Sequence, residues 1–345
     1  ITRNPEATVD APSQVPYPYK IISRYRSWHG ATAGAGSLGG DPRRWFQEPL
    51  VVPGTVFAPE VNGYRSPFGE GTDSVQAGLS YLDYLIEQEG GNNKIAAMLI
   101  EPVVGSNGII PPPAGYLEGV AELCRKWDLL LIVDETMTGM GRTGKLLAID
   151  HYGIEPDIIV MGKALGVYCP LTATIFSERV AAVFEKHIFG HGQSYAGHAL
   201  GAAAALASLE GLLDDGLLDQ AAERGAVLGQ SLKELGERHS CVGDVRGLGL
   251  FWTVELVQDR AAKTPVRRST EKYSDTIVKD LAGFLLDERD IYVPSDKFGL
   301  WVVPPLIVTD EEIQFLVAGL DAALDRADHW LATRLSLIHI SEPTR

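Results

Sequence analysis

Short apolar runs alternating with amphipathic helices constrain this chain more than any other feature. Leu129–Val133 and Asp157–Met161 are compact apolar runs without polar alternation, and Ile95–Glu101 and Thr172–Phe176 are others of the same kind. Such runs suit buried strands of a parallel sheet covered on both faces. Helical stretches stand between them. Asp73–Glu89 carries Val75, Leu79, Leu82 and Leu85 on one stripe, with Asp73 or Ser74 available as cap. Tyr116–Trp127 follows the prolines at 111–113, and Glu178–Lys186 follows the fourth run. Lys20–Trp28, β-branched and aromatic, reads as the first strand. The pattern predicts an α/β fold with a mainly parallel sheet between helices.

A second apolar set follows an alanine-rich segment, Ala199 to about Leu235, that reads as one or two helices. It comprises Val242–Val257, a helical Thr276–Leu286, Ile291–Val308, and a closing helix over Ile313–Ala327. These predict a smaller α+β C-terminal domain over 218–334, after a large domain over 19–217. The two ends fit neither. Residues 1–18 hold four prolines and no apolar period, which predicts a disordered arm. Residues 335–345, LSLIHISEPTR, resemble a translated sequencing adapter and are set apart from the fold.

Composition narrows the function. With 45 acidic and 30 basic side chains the net charge is −15, which argues against general nucleic-acid binding. No apolar run approaches the roughly 18 residues of a membrane span, and the start lacks the order of a signal peptide. Three widely spaced cysteines fit a reducing, cytoplasmic setting better than a disulfide framework.

Parallel sheets bind ligands at the C-terminal ends of their strands. The polar residues just after the apolar runs are Trp28 and His29, Glu101, Asp134 and Glu135, and Lys163. A lysine directly after a buried strand relieves its desolvation by condensing with an aldehyde, and an aspartate at a neighbouring strand end suits a protonated ring nitrogen. Pyridoxal phosphate has both features. Taken singly, Lys163 reads as a loop lysine and Asp134 as a metal ligand or helix cap.

Six segments in order change that balance: SWHG at 27–30, EPVVGSNGIIPPPAGYL at 101–117, LLIVDETMTGMGRTG at 130–144, HYGIEPDIIVMGKAL at 151–165, HGQSYAGHALGAAAAL at 191–206 and VRGLGLFWTVEL at 245–256. Together they resemble the class III aminotransferases, pyridoxal 5′-phosphate enzymes of fold type I, from about Lys20 to Arg334. The resemblance implies an amino-group transfer from an amine or ω-amino acid to an α-keto acid such as pyruvate. It implies Lys163 as the Schiff-base lysine and general acid–base, and Asp134 as the partner of the pyridine nitrogen. Trp28 falls at the position that stacks on the ring, His29 beside it, and Thr136 against the opposite face. Ser194 falls where a hydroxyl reaches the phosphate of the neighbouring subunit's cofactor, which implies a homodimer with active sites at the interface.

The same resemblance carries departures. No Gly/Ser-rich phosphate turn precedes Lys20, the loop after Lys163 is one residue short, and Asp296 and Lys297 stand where an arginine often precedes the PPL sequence. These suggest a truncated or misassembled gene, so an inactive fragment is one alternative. A racemase, aminomutase or decarboxylase on the same scaffold is another. Three decoys are weaker. Gly34–Gly39 matches a dinucleotide fingerprint without the helix that should follow. Ser194 lacks a nucleophile elbow, and His187, His191 and His198 are interrupted by helix-breaking glycines. Glu101 either touches the cofactor's surroundings or fixes the loop after it. Arg246 reads as structural, with substrate contact the alternative.

Overall fold

The computed structural model describes residues 17–266 and 277–341, in two compact units. The first holds residues up to Asn107, Pro111–Met140 and Lys145–Asp215; the second holds Gly108–Ile110, Gly141–Gly144 and the residues from Gly216 onward.

In the first unit the chain order is β1 (Lys20–Arg24), α1 (Ala33–Leu38), β2 (Thr55–Ala58), α2 (Ser74–Gln88), β3 (Ile95–Ile100), α3 (Tyr116–Lys126), β4 (Leu130–Asp134), β5 (Ile158–Met161), β6 (Ala173–Phe176), α4 (Glu178–Phe184) and α5 (Ala199–Asp214). The strands form one sheet in the order β2-β1-β3-β4-β5-β6. β1 to β5 pair in parallel, and β6 runs antiparallel to β5. On one face Ile22, Met98, Ile100, Leu131 and Val133 pack against Leu82 and Ile86 of α2 and Leu117, Val120 and Cys124 of α3. On the other, Ala97 and Leu130 pack with Val180 of α4. Each CH₂ so removed from water contributes about 0.8 kcal/mol, which makes this two-sided burial the main source of the unit's stability. Asp73 caps α2 by accepting from the N–H groups of Val75 and Gln76.

Several details differ from the sequence expectations. The first strand ends at Arg24, because the chain turns at Arg26 with φ +70° and leaves Trp28 and His29 in a loop. Thr172–Phe176, expected as a buried parallel strand, is instead an antiparallel edge strand whose Ile175 is exposed, a distinction that an apolar run cannot encode. The strand β2 carries no sequence signal, since four residues after a proline-glycine turn show no period. Gly34–Gly39 forms no phosphate loop: most of it is the short helix α1 itself.

In the second unit come α6 (Leu217–Arg238), β7 (Val242–Leu248), β8 (Phe251–Asp259), β9 (Thr264–Pro265), α7 (Ile277–Arg289), β10 (Gly299–Val302) and α8 (Asp310–Ser341). The alanine-rich segment is thus two helices, broken at Gly216 with φ +70°. The antiparallel order is β10-β8-β7, with β9 on β8. Leu228 and Leu232 of α6, Val254 and Leu256 of β8, Val278 and Leu285 of α7 and Leu320 and Leu324 of α8 share its core. α8 runs on to Ser341, through the first seven residues of the segment set apart as an adapter-like tail. Leu335–Ser341 contains no glycine or proline, so nothing in it stops a helix already under way. Thr276, expected to open α7, lies outside the described residues.

Candidate active site

The site stands at the C-terminal ends of β1, β3, β4 and β5. Register fixes its layout: Ile100 pairs with Val133 and Asp134 with Val160, so Glu101, Asp134 and the residues after Met161 emerge on one sheet edge. Among the predicted site residues, the structure brings His29, Asp134, Thr136 and Lys163 together, with Trp28 on the same loop as His29.

Asp134 is buried, and its two oxygens are held separately. The Thr136 N–H donates to Oδ1 at 3.0 Å. Nδ1 of His29 lies 2.8 Å from Oδ2 and must donate, since its partner is a carboxylate. Burial pushes this carboxyl up, but the bonds from His29 and Thr136 outweigh it and hold Asp134 below its ordinary value. The group is therefore an anion at neutral pH, fixed in orientation. The other ring nitrogen of His29, Nε2, is buried without a partner among the described residues.

Lys163 opens a 3-10 turn directly after β5, with φ +46°, a left-handed backbone that few residues other than glycine adopt. Gly162 before it is hemmed in by two threonines. A Cβ there would meet Thr136 Cγ2 at 3.2 Å and Thr172 Cγ2 at 3.5 Å. Lys163 is exposed along much of its length, yet the surrounding protein strips water from the ammonium. That desolvation lowers its pKa, against the pull of Asp134 and Glu101. Its amine makes no hydrogen bond with any described residue. A left-handed backbone and an amine unpartnered among the described residues, near a fixed anion, make Lys163 a candidate functional position.

The role of Glu101, open from sequence, is settled by contact. Its Oε1 accepts the Trp28 N–H at 3.0 Å and its Oε2 accepts the Gly105 N–H at 2.8 Å. It fixes both the Trp28–His29 loop and the loop that follows β3. Burial raises its pKa, with His29 and the Gly105 N–H opposing. Arg246 donates to Asp244 and Glu255 and to the carbonyls of Gly108 and Ile109, a structural set of partners. Ser194 makes no hydrogen bond with Asp134, His29 or Lys163 among the described residues. It lies on a segment, 184–200, that is exposed throughout. Sequence reasoning did not single out Arg43, which covers one face of the Trp28 indole.

An amine able to condense with an aldehyde and an ionised carboxylate for a cationic nitrogen, with an indole on the adjoining loop, form a set that fits pyridoxal phosphate. Comparison with known proteins bears on this directly. The sequence model of the family described as aminotransferase class III matches residues 4–324, beginning inside the proline-rich stretch that shows no apolar period. The chain belongs to the class III aminotransferases. Taurine–pyruvate aminotransferase of Bilophila wadsworthia is 35% identical over 310 residues, covering 88% of this chain and 68% of that protein. Among solved structures, taurine:2-oxoglutarate aminotransferase from Bifidobacterium kashiwanohense, in complex with PLP and glutamate, superposes with a TM-score of 0.86 at 33% identity. The match covers 91% of this aminotransferase and 71% of that chain. An (S)-enantioselective omega-transaminase from Thermomicrobium roseum gives 0.83 at 36% identity, covering 90% and 68%. The fold is accordingly that of the fold-type-I transaminases, with a mainly parallel sheet and a smaller second sheet.

Proposed function

We propose that this aminotransferase uses pyridoxal 5′-phosphate to move an amino group from an amine or ω-amino acid to an α-keto acid such as pyruvate. One observation carries the reading: an ionised Asp134, clamped by His29 and Thr136, faces the strand end that delivers Lys163. The transaminases to which the chain is similar, one acting with taurine and pyruvate and one holding PLP, support the substrate class and the cofactor.

When bound, the cofactor supplies an aldehyde that condenses with amines and a protonated ring that withdraws electrons from the substrate carbon. Lys163 would hold it through its amine, and the same amine could carry a proton to and from the substrate Cα. A lowered amine pKa serves both tasks, because more of the side chain is unprotonated near neutral pH. Asp134 would hold the ring nitrogen through the lone pairs that His29 and Thr136 leave open. His29 keeps that carboxylate ionised and oriented. Trp28 and Thr136 would flank the bound ring, and Glu101 fixes the Trp28 loop through its N–H.

We further propose a homodimer. The segment 184–200 exposes Phe184, Ile188, Phe189, Tyr195 and Leu200, a concentration of apolar surface that suits burial by a second copy. Ser194 lies on it, which supports a hydroxyl offered to the partner's cofactor phosphate. Unpaired Cys124, Cys169 and Cys241 support a reducing, cytoplasmic setting. Among the described residues no helix is long and apolar enough to cross a membrane.

The test is a half-reaction. Protein loaded with pyridoxal phosphate should lose its visible absorbance on mixing with taurine, β-alanine or alanine, and regain it with pyruvate. A spectrum unmoved by every amine contradicts the reading.

A further inference from the structure

We infer that Arg43 is a positioning residue of the cofactor site. Held by Asp41, it closes one face of the Trp28 indole and presents the other to a flat ring. The inference rests on the reading of Trp28 as an aromatic wall.

The backbone brings these residues together. Gly39 to Asp41 run back against Ser27: the Gly40 and Asp41 N–H groups donate to the Ser27 carbonyl at 3.0 and 3.1 Å. The approach is so close that a Cβ on Gly40 would fall 2.0 Å from the Arg24 carbonyl oxygen. Asp41 then caps the turn Pro42–Phe46, and its buried Oδ1 accepts twice from Arg43, from the backbone N–H at 2.7 Å and from Nε at 2.6 Å. With Nε pinned, the guanidinium lies over Trp28, its carbon 3.7 Å from the ring centroid. A Cβ on Gly39 would lie 3.7 Å from Cε3 of the same indole, so the backbone packs against the ring as well.

A free surface arginine would be spread over many rotamers. Here the Nε bond to a buried carboxylate oxygen and the stacked ring restrict the side chain to a pose over the indole. An indole face covered by a guanidinium has no room for a second ring, so a flat ligand has only the opposite face. The backbone of Trp28 is tied separately by Glu101. Ring plane and loop height are thus set by two different acids, Asp41 through Arg43 and Glu101 directly. The alternative task, capture of an anionic group of the substrate, is disfavoured because Asp41 already neutralises the guanidinium.

The experiment is a double-mutant cycle of Arg43→Met with Trp28→Leu, read first without cofactor. In the apo chain Arg43→Met should roughly double the acrylamide quenching assigned to Trp28, the part of the signal that Trp28→Leu removes. On titration with pyridoxal phosphate, Arg43→Met should weaken binding about threefold, the scale of an exposed cation–π contact. It should also diminish the visible circular dichroism of the bound cofactor. In the Trp28→Leu background the same change should have no effect on either, and Arg43→Lys should restore part of both. Unchanged quenching in the apo chain, or an equal loss of affinity in both backgrounds, overturns the inference. Failure of any lysine-linked cofactor to form would instead overturn the functional reading, and the apo quenching would still decide the role of Arg43 at Trp28.

Discussion

Replacing Asp134 by asparagine separates electrostatics from folding at the centre of the site. The amide oxygen of the introduced side chain keeps an acceptor for the Thr136 N–H, now bonded at 3.0 Å. His29 can accept from the new NH₂ by moving its proton to Nε2, a nitrogen without a partner among the described residues. The fold therefore exchanges one charge-assisted bond for a neutral one, a loss of about 1 kcal/mol. Part of that is returned, because a buried charge no longer has to be desolvated. Function loses far more. The Asp134 side chain is 9% exposed, so an effective dielectric near 20 applies. Two unit charges about 4 Å apart then attract by about 4 kcal/mol. An amide leaves the ring nitrogen without that partner, and at about 1.4 kcal/mol per decade the half-reaction should slow by roughly a thousandfold. Stopped-flow single turnovers of fully loaded protein measure the rate, and thermal unfolding of the apo form measures the fold. Less than a tenfold loss of rate would refute the assigned pairing. A collapse of the apo melting temperature would refute the claim that Asp134 serves the site and not the fold.

Two further predictions concern the scaffold. Glu60 is buried beside Arg24, 3.5 Å from its Nε, and burial pushes its carboxyl up to about 7, with Arg24 pulling back. A raised folded pKa means that its contribution is full below the unfolded value near 4.3 and is lost as pH rises through about 7. Glu60→Gln should therefore flatten the decline of melting temperature between about pH 5 and pH 8; an unchanged slope would show that Glu60 does not titrate there. Val167 is β-branched, exposed and at φ +53°. Val167→Gly should raise the apo melting temperature by about 1–3 °C as left-handed strain of roughly 1–2 kcal/mol outweighs the entropy of glycine, and a lower melting temperature would contradict that strain.

Much of the sheet was legible because its central strands β3 and β4 are largely buried, so they, and the half-buried β5, appear as short apolar runs. The helices α2 and α3 were legible from their stripes and start signals. Edges were not. β6 reads like its buried neighbours although it runs antiparallel, and β2 is too short to show a period. The same limit applies at the site. Lys163, Asp134, Thr136, Trp28 and His29 occupy strand ends or match a family segment, so position alone nominates them. Glu101 reaches Trp28 across 73 residues of sequence, and its function is visible only once β1 and β3 are side by side. Arg43 lies in PRRWF, which carries no motif; its meaning comes from the close pass of Gly40 over Arg24.

Lys163 should be the residue to which the cofactor attaches. Borohydride reduction of the loaded protein, followed by peptide mapping, tests it without any knowledge of substrate. A pyridoxyl group should appear on Lys163 and be absent from Lys163→Ala. A label on another lysine, such as Lys145 or Lys186, or labelling that survives in the Lys163→Ala variant, would contradict it.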